Sequence, residues 1–372
     1  MKKEEKSSNK CPICGRPTHK ESKYCIFHAS AEEKTEVEFK NALKEYIQEI
    51  KKEDKAYNFY KFVFIGYINF KKDLNINVFK NACFFGATFE GNTDFIKTTF
   101  NGDTNFMWAS FKGKTYFAGV TFEGNTDFIK TTFNGDANFT GTTFKENANL
   151  MGATFESFTY FAFATFEHNA NFGEATFKIS TEFKGTTFKT DACFENTTFK
   201  GHTTYFTNAI FEGDANFFVV KFKGNANFGE ATFKHDANFE QATFEGDADF
   251  RLNYFVKILN FSKIKTFSGK KLFIRLINVG GKISFERAFL ENTYLDIELV
   301  RGILIDFTDA SLKNTKIKKI HIENHILQEK EKEFSKAMEI YLLLKNNFHR
   351  IRKRGQVSTF DISILSVLSV KC

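Results

Sequence analysis

The chain has 372 residues, with 51 Phe and 2 Pro; aromatics make up 17% and charged residues 26%. This is too hydrophobic for a disordered chain, and the mean hydropathy of −0.34 is too polar for a multispan membrane protein. The net charge of +7 is uneven: 17 Lys/Arg face 12 Asp/Glu over residues 1–83, 14 face 21 over 84–261, and 21 face 12 over 262–372. A mildly acidic middle between basic ends excludes one continuous nucleic-acid-binding surface.

The opening MKKEEKSSNK has no apolar stretch of the kind a signal peptide needs. Cys11, Cys14 and Cys25 cluster, whereas Cys83, Cys193 and Cys372 are scattered, which is no secreted disulfide framework. Both features predict a reducing, cytoplasmic setting. Cys11-Pro12-Ile13-Cys14-Gly15 followed by Cys25-Ile26-Phe27-His28 gives the spacing C-x2-C-x10-C-x2-H. Two close pairs of soft and borderline donors suit tetrahedral Zn²⁺, and the Cys-Pro-x-Cys-Gly turn resembles a zinc knuckle. Cys11, Cys14, Cys25 and His28 are therefore the predicted metal ligands, with His19 as a substitute. Four protein ligands make the site structural, since a catalytic zinc keeps one position open. The expected module covers residues 1–30.

Residues 31–56 predict one amphipathic helix, with Val37, Ala42, Leu43, Tyr46, Ile47 and Ile50 at near-helical spacing among Lys and Glu. Next, the alternation Phe59-Tyr60-Lys61-Phe62-Val63-Phe64 suggests an entry strand that caps the first coil of a repeat array.

From Phe84 onward Phe recurs at alternating steps of five and six. One row runs Phe89, Phe100, Phe111, Phe122 and on to Phe255; the other runs Phe95, Phe106, Phe117, Phe128 and on to Phe261, with Leu150 as its one exception. The position two before each is nearly always Ala or Thr, as at Ala87, Thr98, Thr93 and Ala137. Residues two apart share one side of a strand, so the large and small positions point inward and the Thr or Asn/Asp between them points out. Gly91-Asn92 and Gly135-Asp136 read as turns. Thr, Asn and Gly at this period fit a helix poorly and fit a solenoid well. One extra residue enters between Phe199 and Phe211. Residues 86–106 and 119–139 are identical except at Ala87/Val120 and Thr104/Ala137, as after a duplication of three elevens.

The triplets Ala-Thr-Phe and Ala-Asn-Phe resemble the central positions of the pentapeptide-repeat proteins. The resemblance implies an all-β solenoid, a right-handed quadrilateral β-helix over residues 57–320. The extra residue in every second unit suggests about 22 residues per coil, or 11 if one unit makes a coil. At both ends the step returns to five, as in Leu74, Phe79, Phe84, Phe89 and in Phe307, Leu312, Ile317.

Residues 321–350 predict a capping helix, whose apolar face holds Phe334, Ala337, Met338, Tyr341, Leu342 and Leu344. It resembles the helix that comes after the repeats in some larger members of that family. Beyond it, 351–372 reads as an irregular tail, truncated or frameshifted after Arg350. The run Ile362–Val370 is too short to span a bilayer.

No phosphate loop, nucleophile elbow or His-Glu-x-x-His is present. His168, His202 and His235 fall at or beside turn slots. No catalytic residue and no cofactor other than zinc is expected. The expectation is a non-enzymatic scaffold for a protein partner, without nucleic acid or a membrane span, and with a homo-dimer through a solenoid end. The alternative is a DNA mimic acting on gyrase, or a nucleic-acid-associated protein using the basic ends.

Overall fold

The computed structural model describes residues 9–255, 257–267, 269–276, 281–298, 302–318 and 326–353. They form a β-solenoid of about eleven turns, in two compact units. The first holds the chain to Asn171 with Ala175–Ile179; the second holds Phe172–Glu174 and the chain from Ser180 on.

In the first unit one coil comprises the strands Thr88–Phe89, Thr93–Asp94, Thr99–Asn101 and Thr104–Asn105. Each pairs in parallel with the strand 22 residues on: Thr88 with Ser110, Thr93 with Thr115, Thr99 with Thr121 and Thr104 with Thr126. Four strands per coil make four faces, so the coil has 22 residues, not 11. A 33-residue duplication then equals one and a half coils. The Ala87 and Val120 that differ across it are both buried small residues on opposite halves of their coils.

The strands are short because each needs only one inward position beside the Phe. The repeat Phe of both rows are fully buried as far as their side chains are described, and so are the small residues two before them. Rings one coil apart stack: Phe106 lies 4.8 Å from Phe128 with planes 1° apart, and Phe95 lies 4.8 Å from Phe117 at 3°. Rings on opposite faces meet edge-on, as Phe95 and Phe106 do at 79°. Both arrangements suit the ring quadrupole.

Corners come in two kinds, where the sequence suggested one. The Gly-Asn/Asp bend serves the six-residue step. There a Cβ on Gly135 would stand 2.5 Å from the carbonyl carbon of Gly113 in the preceding coil, so bare backbone is needed for close approach. The five-residue step instead closes by a turn in which Thr142 N–H donates to Phe139 C=O at 3.1 Å. Its third residue is left-handed, Gly141 at φ +62°. The same slot holds Lys97, Trp108, Lys130 and Phe163, all at φ between +53° and +59°. A non-glycine residue there is strained by about 1–2 kcal/mol. Phe163 is 64% exposed and gains little by packing. Phe163→Gly is therefore expected to stabilise the chain by about 1 kcal/mol, after the extra freedom of glycine in the unfolded chain is charged. A thermal midpoint that falls would contradict this.

The first coil departs from the pattern. It has the strands Val63–Phe64, Ile68–Asn69 and Val78–Lys80, and a short helix (Phe70–Leu74) capped by the Asn69 side chain. The expected entry strand is instead a tight turn, Phe62 N–H to Phe59 C=O at 3.1 Å, before a two-residue strand. Before it, helix α1 (Glu36–Lys52) starts at a Thr35/Glu38 capping box and buries Phe39, Leu43, Ile47 and Ile50. Val37 is exposed.

In the second unit the extra residue lies at the corner near Gly201. Thr181 pairs with Thr204 and Phe188 with Phe211, 23 residues on, and the step returns to 22 at Thr203 with Asn225. Strands lengthen in the last coils, to Lys271–Leu276 and Tyr294–Glu298, and Leu and Ile take most inward places beside a column of Phe261, Phe285 and Phe307. Two helices, Leu327–Lys330 and Phe334–Lys353, come after the coils. Ile326 bridges to Ile305, and the Gln328 amide donates to Asp306 Oδ1 at 2.8 Å. On the longer helix, Ala337, Tyr341 and Leu344 are buried, while Leu342 is 43% exposed. Residues 319–325 and 354–372, including part of the predicted helix and nearly all of the predicted tail, lie outside the described residues. Among the described residues no helix is long and apolar enough to cross a membrane.

Candidate metal centre

Two turns build the centre. In the first, Gly15 N–H donates to Cys11 C=O at 2.8 Å, and Gly15 takes φ +71°, which brings Cys11 and Cys14 to one side. In the second, the N–H groups of His28 and Ala29 donate to Cys25 C=O at 3.0 and 2.9 Å, turning His28 back toward Cys25. The three Sγ atoms and one ring nitrogen of His28 all lie within 4.8 Å of one another. His28 Nδ1 is 3.1 Å from Cys25 Sγ and 3.5 Å from Cys11 and Cys14 Sγ; Cys14 and Cys25 Sγ are 3.5 Å apart. Cys11, Cys25 and His28 are buried, and Cys14 is exposed.

Burial sets the protonation of the cluster. Burial pushes the Cys25 thiol up to about 12, and the neighbouring Cys14 adds to this. Burial also raises Cys11, but backbone groups of Cys25, Ile13 and Cys14 outweigh it and hold the thiol below its ordinary value. His28 is lowered, by burial first, which favours the neutral ring that a metal needs. Its other nitrogen, Nε2, lies 2.9 Å from Tyr60 C=O. Such a bond fixes the tautomer that leaves Nδ1 as donor, the usual second support of a metal-bound imidazole. Three thiols and an imidazole nitrogen at these distances fit a tetrahedral ion of intermediate softness. His19 stands apart, with Nε2 4.0 Å from Glu38.

The centre belongs to a cap on the first coil. Phe27 C=O accepts Val63 N–H at 2.8 Å, and the Phe27 ring stacks on Phe62 at 4.6 Å. Lys34 reaches both Ile26 C=O at 2.8 Å and Val63 C=O at 2.6 Å, with its ammonium over the Phe39 ring. Burial lowers Lys34 to about 7. Tyr46 OH donates to Asn58 C=O at 2.7 Å, and Lys51 donates to Asn75 C=O at 2.7 Å. Sequence reasoning missed these groups, because Lys34, Tyr46 and Lys51 look like any residue of a charged helix. The Thr35-x-x-Glu38 box was the one signal that Lys34 precedes the helix and is free to turn inward.

Three further histidines, His168, His202 and His235, sit on outer corners. His168 Nε2 is 3.9 Å from Glu146, His202 Nδ1 is 3.3 Å from Thr203 Oγ1, and His235 Nδ1 is 3.2 Å from Lys257 Nζ. All three are exposed. Among the described residues Cys11, Cys14, Cys25 and His28 form the one group of three or more His, Cys, Asp or Glu able to share an ion.

Four parallel faces, a stacked Phe interior and small residues two before each ring define a four-sided β-solenoid with a Cys₃His centre in its N-terminal cap. Residues 84–131, 117–165 and 206–251 match the family model "Pentapeptide repeats (9 copies)". Over these stretches the coils carry pentapeptide repeats. No curated protein and no solved structure gives a match.

Proposed function

We propose that the chain is a non-enzymatic scaffold whose solenoid surface engages a protein partner, and whose N-terminal cap is folded around one structural zinc ion held by Cys11, Cys14, Cys25 and His28. The convergence of four donors, with Nε2 of the His anchored to Tyr60 C=O, carries the zinc part. A reducing compartment, as in the cytoplasm, keeps the three thiols available. The scaffold part is supported by the family match and by the interior, which is filled with rings.

A DNA-like surface is disfavoured by the way charge is arranged. Outward Glu residues pair with Lys one coil on: Glu123 with Lys145 at 2.9 Å, Glu156 with Lys178 at 2.8 Å, and Glu212 with Lys234 at 2.5 Å. Neutralised rows do not present the dense negative charge of a duplex.

Metal analysis of the purified full-length chain is expected to give one zinc per chain. Cobalt(II) exchanged into the site should show thiolate charge-transfer bands and tetrahedral ligand-field bands. Cys11→Ser should lower the zinc content to well below one. Wild-type protein purified without metal, and unable to bind added zinc, would end the zinc reading. Crosslinking mass spectrometry in the native host tests the scaffold reading; reproducible recovery of no partner would count against it.

A further inference from the structure

The cap imitates a coil. In the second coil the backbone pairs on both sides: Thr88 and Glu90 N–H donate to Phe62 and Phe64 C=O of the first coil, and Ser110 and Lys112 N–H of the third donate to Ala87 and Phe89 C=O. The groups of the first coil that face the other way would lie on an open sheet edge, and the cap meets four of them. Val63 N–H donates to Phe27 C=O, where a preceding coil would supply a carbonyl. The outward carbonyls of Asn58, Tyr60 and Val63 accept from Tyr46, His28 and Lys34. The ring layer is met in the same way. Phe27 lies on Phe62 at 4.6 Å and 5°, as Phe89 lies on Phe64 at 4.4 Å and 6°.

The cap holds this position through the Cys₃His centre. His28 is the residue that joins the centre to the edge, Nδ1 on one side and Nε2 on the other, and Phe27 is its neighbour. Helix α1 is fastened to the same module by Lys20 to Glu38 at 2.8 Å and by the Arg16 guanidinium over the Tyr46 ring at 4.8 Å. A segment this small has little core of its own, so the ion supplies its folding energy.

We propose that the N-terminal edge of the first coil is a self-association surface that the metal centre keeps covered: when the ion is lost, the cap releases and the first coil of a second copy docks on the edge. This rests on the zinc reading. A second copy is the occupant because the exposed end would combine alternating backbone donors and acceptors with a layer of Phe rings. The same coil end of another chain presents both in the same cross-section. Unpaired strand edges associate in this way. Each chain has one such edge, so the contact is isologous and closes at two chains.

The test uses the full-length chain under reducing conditions, with zinc content and light-scattering mass measured on the same samples. Zinc-loaded protein is expected at 42.9 kDa, the mass of one chain. After removal of zinc with a chelator the mass should double, and it should return when zinc is restored. Val63→Pro removes the outward N–H that the second copy would use, and is expected to remain single after zinc removal. Circular dichroism must show that both proteins keep their β signal. Stripped wild-type protein that stays at one chain overturns the inference and leaves the zinc reading standing. Stripped Val63→Pro that pairs as well as wild type overturns the edge as the surface. Loaded protein already at double mass overturns the latch, and protein that never binds zinc overturns both readings.

Discussion

Phe128→Ala is expected to destabilise the solenoid by about 3–5 kcal/mol, the range for removing a fully buried aromatic ring. Phe128 is fully buried. Its ring lies 4.8 Å from Phe106 in the preceding coil and meets Phe117 and Phe139 edge-on, each at 5.6 Å. The void cannot close easily, because the parallel ladders fix the distance between coils. The upper half of the range is therefore expected. The chain also supplies a control. Leu150 occupies the next place in the same column and is itself fully buried. Phe128→Leu should then cost under about 1.5 kcal/mol, as a hydrophobic change that the column already accommodates. The check is the urea midpoint of both variants, read with hydrogen exchange at Phe106 N–H, which bonds to Asp127 C=O. In a repeat array, damage is felt first by the neighbouring coils. A loss below about 1 kcal/mol for the alanine variant, well under the usual cost of an aromatic deletion, would mean that the stacked rings are not what holds the coils together.

The same column shows why so much of this fold was legible. A ring that must stack on its equivalent one coil away can sit at only one spacing, so Phe106, Phe128, Leu150 and Phe172 record the coil length directly in the sequence. The period of eleven left the coil ambiguous by a factor of two, and the ladder from Thr88 to Ser110 decided it. The corners were half legible. Gly135 announces itself because only a bare backbone fits against Gly113, but the left-handed slot at Trp108 and Phe163 tolerates many residues at a modest energetic cost and leaves no signature. The first coil was least legible. Its Phe62 and Phe64 sit two apart as in a strand, yet Phe59 to Phe62 is the same turn that closes the five-residue step elsewhere, with Lys61 left-handed at φ +54°. The four metal-ligand candidates were legible because their chemistry fixes both residue type and spacing. Their partners Tyr60, Lys34 and Tyr46 act through backbone carbonyls or long side chains, which no residue pattern encodes.

Cys25→Ser is expected to detach the cap while leaving the coils folded. Cys25 is the most central donor: it is buried, its Sγ is closest to His28 Nδ1, and its carbonyl closes the turn that aims His28 at Tyr60. On the zinc reading proposed above, serine is a poor ligand, and breaking the site removes a large part of the roughly 10–16 kcal/mol that a zinc-finger-sized segment draws from its ion. What then remains for residues 9–34 is the Phe27 stack and its bond to Val63, the hydrogen bonds of Lys34 and His28, and the Lys20–Glu38 and Arg16–Tyr46 contacts, too little to order the segment alone. The coils next to it do not depend on it, since Phe84 stacks between Phe59 and Phe106, and Phe95 between Phe70 and Phe117. Limited proteolysis should therefore cut the variant within residues 9–56 at enzyme levels that leave wild type whole, and a fragment beginning near residue 57 should persist. Hydrogen exchange gives the sharper reading. Val63 N–H, held by Phe27 C=O, should lose protection by orders of magnitude, while Glu90 N–H, held by Phe64 C=O, should change little. Equal loss at both would show that the first coil unravels with the cap, and unchanged protection at Val63 would show that the cap stands without its thiol cluster.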